Sequence, residues 1–99
     1  MIVDESFGTT GQAYHLTRVH HVGEHTLRVR IHRDAYQHQS HAVVEVLTPS
    51  LTWTPLAAEP PSAWHDASPD PYARPRPGPA ALYPLAERLL HRATAILRA

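Results

Sequence analysis

The stretch Thr26-Leu27-Arg28-Val29-Arg30-Ile31-His32-Arg33 decides the fold. Apolar and polar residues alternate through it with a period of two, the signature of a half-buried β-strand. Leu27, Val29 and Ile31 then share one face, and Arg28, Arg30 and His32 share the other. The next strand is His41-Ala42-Val43-Val44-Glu45-Val46-Leu47, rich in β-branched residues and ended by Pro49. Making the two apolar faces coincide sets Ile31 opposite Ala42, Val29 opposite Val44 and Leu27 opposite Val46, with Ala35-Tyr36-Gln37-His38 as the connecting loop. In the same register the other face sets His32 against His41 and Arg28 against Glu45, an opposite-charge pair worth about 0.2 to 1 kcal/mol. A slip of one residue destroys both matches.

Upstream, Tyr14 to Val22 reads as a first strand, but Leu16, Val19 and Val22 do not fall on one side of a period-two pattern. Its register stays open. Gly23 leading a two-residue turn suits type II′, whereas pairing Val19 with Val29 asks for a loop of Gly23, Glu24 and His25, and a bulge reconciles the two. Residues 1–13 precede it as an N-terminal arm. Downstream, Leu51-Thr52-Trp53-Thr54 adds a short edge strand, so the sheet occupies 14–54. The eight prolines from Pro55 to Pro79 exclude a continuous ladder or helix over 55–79. Trp53, Trp64 and Tyr72 lie in or beside this proline-rich connection, and such large apolar bodies argue that part of it packs on the domain. Residues 80–99 read as an amphipathic helix, with Leu82, Leu85, Leu89, Ala93, Ile96 and Leu97 recurring at three- and four-residue steps.

The expected architecture is therefore one α+β domain over residues 1–99. An antiparallel sheet of three to four strands carries the C-terminal helix on one face, joined to it by a long proline-rich connection. Ninety-nine residues support one modest core and exclude a multidomain enzyme. Nine arginines and nine acids cancel, so no long-range field draws the chain to nucleic acid or membrane at pH 7. Nine histidines make the charge sensitive to mild acid. Cysteine is absent, which removes disulfides, thiolate metal sites and cysteine nucleophiles. The N-terminus carries no basic start followed by an apolar run, and no stretch approaches the roughly 18 apolar residues of a spanning helix, so a cytoplasmic protein without membrane contact is expected.

The residues argue against several chemistries. His21-Val22-Gly23-Glu24-His25 matches the H-x-x-E-H zinc-protease pattern, but that pattern needs a helix, and here it straddles a glycine turn. His32 and His41, with His20 as a third, form a weak metal candidate lacking a placed carboxylate. His65-Asp66 and Asp70 sit on a proline-flanked loop and read as turn polarity. Arg74-Pro75-Arg76-Pro77-Gly78-Pro79 lacks the P-x-x-P spacing of a polyproline ligand and reads as a stiff connector. Arg18, Arg28, Arg30, Arg33 and the histidines offer a cationic sheet surface, so pH-sensitive anion or nucleic-acid binding is the alternative reading. It is not favoured, because the strands show no aromatic stacking platform.

By elimination the expectation is a small non-catalytic interaction or accessory protein that needs no cofactor. Val43 and Leu47 turn away from the helix, and something must cover them: the tryptophan-bearing connection or a second copy of the chain, giving a homodimer. The residues expected to carry the interaction are Arg30, His32, His41, Val43, Leu47, Trp53 and Trp64.

Overall fold

The computed structural model describes residues 2–10, 13–34, 36–65 and 82–98. The fold is α+β. Five antiparallel strands lie in sequence order, β1 (Ile2–Thr10), β2 (Ala13–Val22), β3 (His25–Arg33), β4 (His41–Leu47) and β5 (Trp53–Glu59), and one helix, α1 (Tyr83–Arg98), packs on the sheet. Two single-turn 3-10 segments, Gln37–Gln39 and Pro61–Ala63, punctuate the connections.

The β3–β4 register is the one that face-matching demands: Leu27 with Val46, Arg28 with Glu45, Val29 with Val44, Ile31 with Ala42 and His32 with His41. The connection is longer than a four-residue loop, because the ladder stops at His32 and His41. Ser40 then organises the corner, its hydroxyl accepting from the Asp34 amide at 2.8 Å and donating to the Tyr36 carbonyl at 3.1 Å.

The β2–β3 hairpin closes with a two-residue turn. Val22 faces His25, and Gly23 takes φ +62° while Glu24 does not enter positive φ, as a type II′ turn requires. Arg18, not Val19, therefore pairs with Val29. Parity then turns Tyr14, Leu16, Arg18 and His20 toward the helix and leaves Val19 on the opposite face.

Two further differences extend the sheet to five strands. The N-terminal arm is strand β1, an edge strand with Glu5, Phe7 and Thr9 opposite Arg18, Leu16 and Tyr14. At the other edge, β5 runs past Thr54 to Glu59 and through Pro55. Proline is tolerated there because an edge strand can leave one side of its backbone unpaired. A register shift between Val44 and Glu45 leaves Leu56 without a partner, so Leu56 and Ala57 both pack against the core.

The core lies between the sheet and α1. Leu16, Leu27, Val29, Ile31, Ala42 and Val44 meet Leu82, Leu85, Ala86, Leu89 and Ala93, all buried. Each fully buried leucine or valine contributes about 1.5 to 3 kcal/mol. Ile96, expected in the helix stripe, is instead exposed, and Leu97 packs at the margin. Arg88 forms a two-point salt bridge with Glu59 at 2.9 and 3.2 Å, and Arg92 donates to the Ala58 carbonyl at 3.1 Å, tying the helix to β5. Among the described residues, no helix is long and apolar enough to cross a membrane. The expectations placed on Asp66, Asp70, Tyr72 and the Arg74–Pro79 run lie outside the described residues.

Candidate interaction surface

Because side chains alternate along a strand, the sheet face turned away from α1 is set by the same register that builds the core. It gathers Thr17 and Val19 from β2, Arg28, Arg30 and His32 from β3, His41, Val43, Glu45 and Leu47 from β4, and Trp53 and Ala58 from β5. Six of the seven residues expected to carry an interaction thus share one surface. Trp64 does not. It packs against the helix-side core, its indole N–H donating to the Glu59 carbonyl at 3.3 Å. A tryptophan beside a proline-rich loop fills whichever core margin the chain reaches, and the loop sequence does not say which.

The centre of this surface is a closed charge cluster. Arg28 Nε donates to Glu45 Oε1 at 3.0 Å, while Arg30 donates through Nε to Oε1 at 2.8 Å and through Nη2 to Oε2 at 3.1 Å. The Arg28 guanidinium lies 4.3 Å from the Trp53 ring centroid, within cation–π range. Enclosed this way, Glu45 is only 5% exposed although it sits on the outer face. Burial pushes its carboxyl upward, but the hydrogen bonds and charges of the two arginines together outweigh burial and hold it below the usual carboxylate value. Two guanidiniums over one carboxylate leave a surplus of one positive charge. The Arg30 side chain, 45% exposed, carries it to solvent.

Beside the cluster the His32 and His41 rings stack at 5.3 Å with 17° between their planes. Burial, then the neighbouring His32, then Arg30 lower the affinity of His41 for a proton. His41 therefore presents a flat, hydrogen-bonding ring that resists gaining charge. His20, the third metal candidate, lies on the opposite face under the helix. The register instead aligns His15 with His32 in the same cross-strand row. His15 folds over Gly8, where a Cβ would stand 2.6 Å from Nε2, so a side chain there would displace the His15 ring. Among the described residues no group of three or more potential ligands is arranged to hold a metal ion.

A second polar assembly lies on the helix side, on the strand whose register the sequence leaves open. Arg18, 6% exposed, donates to Glu87 at 3.0 Å, approaches Glu5 at 3.8 Å and lies 4.3 Å from the Tyr83 ring centroid; the Tyr83 hydroxyl donates to Glu5 at 2.8 Å. Residues from β1, β2 and α1 thus wrap one guanidinium, which seals the open side of the sheet. His20 beside it is 3% exposed, with Nε2 buried and unpartnered. Burial and the Arg18 charge lower its proton affinity more than Glu87 and Glu5 raise it.

A folded-state pKa below the unfolded 6.5 means that the unfolded chain binds the proton more readily. The neutral imidazole therefore stabilises the fold fully above pH 6.5, and that contribution is lost as pH falls below it. His20→Leu is expected to flatten the decline of Tm between about pH 7 and 5, because an apolar group at this site has no proton to gain. An unchanged Tm–pH profile would contradict this assignment.

Comparison with known protein families, with curated proteins and with solved structures finds no match to the chain.

Proposed function

We propose that the protein is a small, non-catalytic interaction protein, dimeric, whose outer sheet face receives an acidic segment of a protein partner. The observation that carries this reading is the Arg28–Glu45–Arg30 cluster under Trp53, fixed at the centre of a face whose other residues are half-buried or exposed. Arginine and tryptophan anchors at the middle of a surface are what protein interfaces concentrate. Holding the two guanidiniums in place before binding reduces the side-chain entropy lost on association. Both Glu45 oxygens are spent on the arginines, which suits a positioning role for that carboxylate and not proton transfer.

The positive surplus points to an acidic partner. It also disfavours stacking two copies face to face, since a two-fold axis there would bring like clusters together. Val43, Leu47 and Val19 supply apolar area around the charges.

A decaglutamate peptide added to nitrogen-labelled protein at low salt tests the reading through the Nε–H signals of Arg28 and Arg30. Both signals are expected to shift with saturation below about 1 mM, and Arg30→Gln to weaken binding about tenfold. Absence of shifts, or tighter binding of a single-stranded oligonucleotide at the same ionic strength, would overturn it in favour of no acidic site or of a nucleic-acid surface.

A further inference from the structure

The two edges of the sheet are built differently. At β5, Pro55 lacks a donor, Leu56 sits in a register shift, Arg92 occupies the Ala58 carbonyl, and Pro60 and Pro61 follow the strand. These are the features that keep an edge from pairing. Among the described residues β1 has only one of these features, a register shift confined to its first residues: Ile2–Thr10 contains neither proline nor arginine, and its residues are exposed apart from Phe7 and Gly8, which are half-buried. The register shift between Ile2 and Asp4 sets Val3 aside, leaving Asp4–Thr10 as an uninterrupted ladder along β2. Such an edge offers a row of backbone donors and acceptors to another strand.

We propose that β1 pairs antiparallel with β1 of a second copy about a two-fold axis through Phe7, joining two sheets into one of ten strands. Closure of β5 excludes head-to-tail pairing of β1 with β5 of the next copy, so the contact must be isologous and stops at a dimer. Phe7 is the midpoint of Asp4–Thr10, so centring the axis there pairs every residue of the regular ladder. Asp4 then meets Thr10, Glu5 meets Thr9, Ser6 meets Gly8, and Phe7 meets its own copy. No carboxylate faces another. An axis through Glu5 would oppose two carboxylates, and one through Thr9 would leave most of the ladder unpaired. On the helix side, Phe7 already tilts against Tyr14 with ring centroids 6.2 Å apart, and its exposed flank would be covered by the second Phe7. The interface uses β1 alone, so it stands or falls independently of the acidic-partner surface.

The native chain lacks cysteine, which makes single-cysteine cross-linking a direct reading of register. At about 100 μM the full chain is expected to scatter light as twice 11.1 kDa. Phe7→Cys should form a disulfide-linked dimer under mild oxidation, since antiparallel partners lie about 4.5 to 5.5 Å apart at Cα, within disulfide reach. Thr10→Cys should not, because its copies would stand roughly 20 Å apart. Thr9→Glu, at an exposed position, would set carboxylates against both copies of Glu5 and raise the dimer dissociation constant about tenfold, with the circular dichroism of the fold unchanged. A monomeric mass for the native chain, a Thr9→Glu variant that dimerises like its parent, or cross-linking through Thr10→Cys in preference to Phe7→Cys would each overturn the proposal.

Discussion

Leu89→Ala is expected to lower the free energy of unfolding by about 3 kcal/mol, within the roughly 2 to 5 kcal/mol that buried leucine truncations cost. Leu89 is fully buried on α1, among Leu85, Ala86 and Ala93 and against the inner faces of β3 and β4. Alanines at 86 and 93 let the helix approach the sheet closely, so neighbours have little freedom to collapse into the space that leucine vacates. A domain of this size has about 5 to 15 kcal/mol in total, and the loss is therefore a large share. Urea titration should show a lower midpoint at unchanged slope. Ile96→Ala provides the control: Ile96 is exposed, and its truncation should cost no more than about 0.5 kcal/mol. Equal losses for the two variants would contradict this placement of the helix.

Glu45→Ala is expected to cost about 2 kcal/mol at neutral pH, from hydrogen bonds to charged groups and from two adjacent guanidiniums left without their counter-ion. The figure stays modest because Arg30 is partly solvated and recovers water when its partner is removed. Arg28, a quarter exposed and lying against Trp53, recovers less. The lowered carboxyl pKa fixes the sign of the pH dependence. Ionised Glu45 contributes fully above its unfolded value of 4.5 and progressively loses that contribution as pH falls below it. The stability gap between native and Glu45→Ala chains should narrow in the same range. A gap that persists unchanged at about pH 3 would assign the loss to packing.

The β3–β4 ribbon is legible in the residues because two independent patterns agree there. Leu27, Val29 and Ile31 match Ala42, Val44 and Val46 on one face, and the Arg28–Glu45 pair marks the other. Arg30, His32, His41, Val43 and Leu47, five of the seven residues expected at the interaction surface, follow from that parity. Strand β2 is not legible in the same way. Its apolar residues break period two, and the turn at Gly23 settles the register by making Arg18 and His20 inward-facing. Taking the type II′ reading of Gly23 as decisive would have found both, together with the His15–His32 row. Strand β1 gives no alternation to read, because most of its residues are solvent-exposed at a sheet edge.

Local periodicity and turn chemistry were sufficient for the class of fold, for the pairing of the central strands and for the helix stripe up to Ala93, since each depends on residues close along the chain. The burial of Arg18 rests on Glu5, Tyr83 and Glu87, which come from both ends of the chain, and no spacing rule connects residues 69 positions apart. The character of the two edges likewise depended on assembly: the strand order leaves β1 at one edge, and at the other Arg92 reaches from the helix to the Ala58 carbonyl. Desolvation and charge pairing act through space, so these features exist only in the folded chain.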